Sequence, residues 1–287
     1  MTTIYSAKKI ITMDPARPEV SHVAVRDGRI LGAGSLEELA RWGDYDLDDR
    51  FADKVLMPGL VEGHAHTMEG TLWRHTYCGF FDRLDPDGKM WSGLKTIDAV
   101  LDRLKETEQK LDDPDAPLPG WQLDPIYFNN ERVSREDLDK VSTTRPIGVL
   151  HASGHIMNVN TKALELAGML KSEINHPGVP LGADGLPTGE LKGPEIMTPV
   201  AAHVGFSRDI LACDARGLRD FGKLCVRAGV TTVTDLAGPT TARIMRRGLA
   251  MKPDHIRARD LGQHFCVCAL DDLRCCIQIV PLAQSSG

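Results

Sequence analysis

Short apolar runs separated by turn residues fill the first 57 positions, and a slower helix–strand alternation succeeds them. Thr3-Ile4-Tyr5 and Lys9-Ile10-Ile11-Thr12 read as two strands, the second ended by Asp14-Pro15. His22-Val23-Ala24-Val25 and Arg29-Ile30-Leu31 flank Asp27-Gly28, a hairpin signal because both turn residues tolerate positive φ. Ser35, with Glu38 three positions on, forms a capping box and predicts a short helix. Ile97, Val100, Leu101, Leu104 and Leu111 make one stripe and predict an amphipathic helix over 96–111. A capping-box start at Ser134 opens another helix, and 146–150 reads as a strand ending at His151. A helix over 161–166, capped by Asn160 or Thr161 and closed by Gly168, comes next. Asp184-Gly185 marks a hairpin tip. Ile210, Leu211, Leu218, Phe221, Leu224, Cys225 and Ala228 give 209–229 an apolar helical side, ended by Gly229. The β-branched run Val230-Thr231-Thr232-Val233-Thr234-Asp235 then makes helix plus strand one α/β repeat, with a further helix expected over 237–249.

Residues 54–70, KVLMPGLVEGHAHTMEG, carry the chemistry. An apolar run, broken by Pro58-Gly59, delivers His64 and His66 with Ala65 between them. Side chains alternate faces along a strand, so the two imidazoles project from one face and form half of a tetrahedral metal site. Strand-end histidines without a ligand are the plain alternative. Trp73, Tyr77, Phe80 and Phe81 are expected in the core rather than in a pocket. His155 comes after the Ser153-Gly154 turn and either faces a site or bonds within the turn. Asp235 ends its strand as either a site residue or the N-cap of the next segment. His176, beside Pro177, reads as a surface loop residue.

Composition narrows the class. The chain has 287 residues with formal net charge −6, 42% hydrophobic and 26% charged, an ordinary globular balance. Mild acidity argues against nucleic acid or an anionic membrane as partner. No run reaches the roughly 18 apolar residues of a span, and the start lacks a basic region before a long apolar one. A cytoplasmic location is expected. Seven cysteines, an odd count, argue against a disulfide framework. Four of them crowd into the tail at Cys266, Cys268, Cys275 and Cys276, without the Cys-x2-Cys pairs of a zinc ribbon.

The stretch PGLVEGHAH resembles the amidohydrolase superfamily of metal-dependent hydrolases, whose first barrel strand carries Pro-Gly and then Gly-His-x-His. HASGHIMNVNTKALELAGM at 151–169 and Asp-Gly-x-Pro-Thr-Gly at 184–189 are similar to the amidohydrolase-3, YtcJ-like branch, within a long insertion after that strand. Ala-Gly-Val-Thr-Thr-Val at 228–233 resembles a later barrel strand. The resemblance implies an α/β fold, a partial (β/α)8 TIM-type barrel preceded by a small β-sandwich half. It divides the chain into a sandwich part at 1–57, an incomplete barrel at 58–250 with an insertion at about 71–200, and an atypical tail at 251–287. It implies one or two divalent metals, zinc first, on His64 and His66, and substrate contacts at His155 and Asp235. The reaction implied is hydrolysis of a small amide-like substrate at a carbon–nitrogen bond, with a homo-oligomer allowed. The family's later lysine, two histidines and final aspartate have no match after 250. The alternative is therefore a non-catalytic, truncated fragment.

Overall fold

The computed structural model describes residues 1–206, 213–235, 256–260 and 265–269. Two compact units emerge, Met1–His66 with Cys225–Gly287, and Thr67–Leu224. The helix expected over 237–249 and the expected helical residues Ile210 and Leu211 lie outside the described residues.

The first unit opens with β1 (Thr2–Ile11), β2 (Glu19–Arg26), β3 (Arg29–Gly34), the short helix α1 (Leu36–Ala40), β4 (Tyr45–Leu56) and β5 (Leu60–Ala65). β1 is one strand where the pattern suggested two; its pairing with β2 shifts register between Ser6 and Ile10, a bulge that interrupts the alternation. The β2–β3 turn agrees with the sequence, with Asp27 at φ 52° and Gly28 at φ 71°. Ser35 caps α1 in a full capping box, its hydroxyl accepting from the Glu38 amide and the Glu38 carboxylate from the Ser35 amide. The four strands order β3-β2-β1-β4, with β4 parallel to β1. Ile4, Ala24 and Leu39 form one small core beneath α1, and Ala7, Ile10 and Val23 another.

The chain then builds the second unit from α2 (Glu69–Leu72), β6 (Thr76–Tyr77), a small hairpin of β7 (Arg83–Leu84) and β8 (Met90–Trp91), α3 (Ile97–Glu108) and β9 (Leu118–Leu123). It continues through α4 (Arg135–Asp139), β10 (Ile147–His151), β11 (Ile156–Val159), α5 (Thr161–Leu166), β12 (Glu190–Lys192) and α6 (Pro194–Ala201) to α7 (Ala215–Arg227). The sheet order is β12-β11-β10-β9-β6; β6, β9 and β10 run parallel, and β11 and β12 are antiparallel. Alternation along β10 sorts the core into two layers. Ile147 and Val149 pack with Val100, Leu104 and Leu138 of α3 and α4. Leu150 packs with Ala163, Leu164 and Val200 of α5 and α6.

Several helix starts have a side-chain cap. Thr96 accepts from the Ala99 amide, Ser134 from the Asp137 amide and Asn160 from the Ala163 amide. Asp214 accepts from the Gly217 amide at 2.7 Å and pairs with Arg74 at 2.5 and 2.9 Å, which ties the start of α7 to the segment after α2. Both bonds hold the Asp214 carboxyl below its ordinary range, the Arg74 contact acting most strongly.

His75, next to Arg74, puts its ring edge to Phe206, and its Nε2 is buried with no hydrogen-bond partner. Burial, aided by the Arg74 charge, pushes its pKa down from 6.5 to about 4. The fold holds the neutral ring, so its contribution is complete above pH 6.5 and is lost as pH falls toward 4. The loss reaches up to about 3 kcal/mol. Urea midpoints should stay level from pH 8 to 6.5 and drop below that, and His75→Leu should flatten the drop. An unchanged drop in that variant would place the acid sensitivity elsewhere.

The helix ends at Gly229, where φ is 72°, and the chain is back in the first unit. β13 (Val230–Asp235), β14 (Ile256–Asp260) and β15 (Phe265–Ala269) then form a sheet ordered β14-β15-β13-β5. β5 and β13, the two strands assigned to a barrel, are direct parallel neighbours. On its other side β13 meets β15 antiparallel. The described residues thus form a mixed α/β fold of several sheets with no closed barrel. β5 is also little buried. Its apolar Leu60 and Val61 are 49% and 51% exposed, because among the described residues the strand has a neighbour on one side only.

Candidate functional site

β5 reaches its end at the two histidines. Its amides are engaged on the β13 side, and Leu60 donates to the Gly229 carbonyl at 2.9 Å. His64 lies on the strand and His66 just beyond it, and both are exposed. Their ring centroids are 5.1 Å apart with planes at 89°. The Glu62 carboxylate accepts the His64 amide at 3.0 Å, a contact that pins the strand end and that spacing alone did not suggest.

Register brings the second candidate strand to the same level. Val233 pairs with Glu62 and the backbone of Asp235 with Ala65, the residue between the histidines. Both strands run in the same direction, so their carboxyl ends coincide, which is where parallel α/β sheets place chemistry.

The donor set is small among the described residues. Two imidazoles suit a divalent ion of the zinc class, yet they fill half of a tetrahedral shell. Among the described residues no group of three or more His, Cys, Asp or Glu side chains comes together. No described helix is long and apolar enough to cross a membrane.

His155, in the second unit, is exposed at the tip of a well-held turn. Its amide donates to Ser153 Oγ at 3.3 Å and its carbonyl accepts from the Gly193 amide at 2.9 Å. His176 Nδ1 accepts the Gly178 amide at 3.0 Å within its own loop. Of the aromatics after the histidine strand, Tyr77 is 1% exposed and lies in the core, whereas Phe81 is 52% exposed.

Sequence reasoning passed over His151, which ends β10 and is 5% exposed. Asn158 donates through Nδ2 to the Val133 carbonyl, so its Oδ1 faces His151 Nε2 at 2.5 Å and that nitrogen carries the proton. Burial lowers the pKa of His151, outweighing the Asn158 bond and the nearby Glu190 charge. The partner residue, seven positions away, is what made this pair invisible to local pattern.

Comparison with known proteins supplies the lineage. Protein LONG AFTER FAR-RED 3 from Arabidopsis thaliana is 26% identical over 230 residues, 79% of this chain and 37% of the plant protein. YtcJ of Bacillus subtilis strain 168, named for the amidohydrolases, is 28% identical over 197 residues, 67% of this chain and 35% of its own length. The crystal structure of a metal-dependent hydrolase from Pyrococcus horikoshii OT3 superposes with a TM-score of 0.49 at 17% identity, over 81% of this chain and 42% of the other. The chain therefore spans little more than a third of the curated relatives it matches. A model of the amidohydrolase family matches residues 52–247, a stretch that holds both the histidine strand and its parallel neighbour. On that match, this chain belongs to the amidohydrolase family.

Proposed function

We propose that the chain carries the metal-holding end of a hydrolase that adds water across the carbon–nitrogen bond of a small amide-like substrate, giving an acid and an amine. The observation that supports this reading best is the pair His64 and His66, 5.1 Å apart at the carboxyl end of a strand paired in parallel with a second. In this reading the two strands belong to a partial TIM-type barrel, 58–250, that comes after a β-sandwich half. A divalent ion, zinc first, supplies Lewis acidity and a water acidified to a pKa of about 7 when bound. His64 and His66 hold that ion through neutral imidazole nitrogens, and the Glu62–amide bond keeps the strand end in place for them. Asp235, in backbone register with Ala65, is assigned to substrate contact, and so is His155 on its own unit.

Zinc titration of the full chain by calorimetry tests the assignment. Binding should reach about one ion per chain. His64→Ala and His66→Ala should each weaken it by more than the tenfold to hundredfold typical of outer-shell substitutions. Undiminished zinc in both variants would overturn the ligand assignment. A second reading rests on the donor count among the described residues, where two nitrogens leave the shell half filled. The ion is then held without turnover, and zinc-loaded protein releases no amine from small anilides.

A further inference from the structure

β13 stands between the histidine strand β5 and β15, which carries Cys266 and Cys268 of the tail. All three strands belong to the first unit, and β15 is described by its backbone pairing. On one side Val233 pairs with Glu62 and Asp235 with Ala65, which leaves Thr234 level with the Gly63-His64 step, where the pairing shifts register. On the other side Thr234 pairs with Cys266. His64, Thr234 and Cys266 thus make one row across the sheet, on one face by alternation, and His66 shares that face two residues on. Adjacent strands lie about 4.8 Å apart, so the row is about 10 Å long. An imidazole, a zinc ion and a thiolate joined in succession span a similar length. β15 runs antiparallel to β13, so Cys268, beyond the Val233 partner Val267, recedes from the histidine end.

We propose that this row is a zinc site formed by His64, His66 and Cys266. It rests on the metal reading above and adds to it a donor that lies outside the family match at 52–247. Three protein donors leave one tetrahedral position open to water, the arrangement of a catalytic zinc, whereas two leave half the shell open. A soft thiolate beside imidazoles selects zinc over magnesium or calcium. Arg259 pairs with Cys266 from β14, and a cation beside a cysteine favours the thiolate, the form that binds metal.

Cobalt(II) is titrated into the full, reduced chain as a coloured stand-in for zinc. Thiolate ligation shows as a charge-transfer absorption in the near ultraviolet, which imidazoles do not produce. The absorption should grow with bound cobalt and saturate at about one ion per chain. Cys266→Ser should remove it and weaken zinc by more than about tenfold, while Cys268→Ser should keep both. His64→Ala combined with His66→Ala should remove it as well. Cobalt held without the absorption would overturn the proposal while the histidine ligands stand. An absorption that survives Cys266→Ser, or the loss of both histidines, would also overturn it and place the ion on other cysteines. No bound cobalt or zinc at all defeats both readings. Alkylation covers a variant that does not fold. On the unsubstituted chain, zinc should slow the reaction of Cys266 with iodoacetamide by at least about tenfold, read by peptide mass spectrometry, and an unchanged rate would overturn the proposal.

Discussion

Asn160→Ala should lower the unfolding free energy by about 4 kcal/mol, read from urea denaturation of the full chain. Asn160 is 0% exposed, and its side-chain amide makes four hydrogen bonds. Oδ1 accepts the Ile147 amide at 3.0 Å and the Ala163 amide at 3.1 Å, so one atom pins the start of β10 and caps α5. Nδ2 donates to the Ser142 and Arg145 carbonyls, both at 2.9 Å, closing the loop before β10. Loss of the cap alone costs about 1 kcal/mol. The remaining groups are stranded where water cannot replace the amide, at roughly 1–3 kcal/mol for each one left unpaired. Asn160→Asp separates the two halves of this role. It keeps the acceptor but turns a carboxylate toward two carbonyls, so the variant should be unstable at pH 7 and recover as acid protonates it. A cost below about 1 kcal/mol for Asn160→Ala would show that the loop rearranges and that the four bonds are not held together.

Asn160 also shows what local pattern can and cannot deliver. Its capping role was legible as one of two choices, with Thr161 the other, and those of Ser35 and Ser134 outright, because a cap involves residues two or three apart. The Asp27-Gly28 turn was legible for the same reason, and α3 announced itself by the 3.6-residue stripe. The bonds from Asn160 to Ile147, Ser142 and Arg145 cross 13 to 18 positions and leave no periodic trace. β4 was missed because Tyr45–Leu56 is largely polar and much of its length is exposed; its partner β1, not its own composition, makes it a strand. Two strands for β1 were expected because a bulge breaks the alternation that marks a single one.

The candidate site divides in the same way. His64 and His66 on one strand end could be read from a spacing of two. That β5 lies beside β13, with Asp235 level with Ala65, needed the fold, since the whole second unit is inserted between them. The exposure of β5 could not be read from its sequence, because an apolar run says that a strand prefers burial and not whether a neighbour arrives to bury it. His151 with Asn158 depends on side chains brought together across two neighbouring strands.

Gly70→Ala is the substitution expected to damage the second unit most per atom added, by roughly 3–4 kcal/mol. A Cβ at Gly70 would stand on the Gly217 carbonyl oxygen and 2.6 Å from the Phe221 amide nitrogen. Both obstacles are backbone of α7, so no rotamer change relieves them; the helix itself must move. The approach is reciprocal, since a Cβ at Gly217 would stand on Thr71 Oγ1. Gly70 is not needed for a left-handed turn, as it sits inside α2 with Thr71 and Leu72 buried beside it. Its hydrogen side chain is needed for distance alone. Moving α7 also pulls on the Arg74–Asp214 pair, which fixes the first turn of that helix. Hydrogen exchange separates a local effect from a global one: α7 amides should lose protection in Gly70→Ala while those of β10 keep theirs until the unit unfolds. Gly217→Ala should be milder, because Thr71 Oγ1 makes no hydrogen bond and can swing away. Equal damage from the two would mean that the contact is set by the side chain of Thr71 rather than by two backbones in touch.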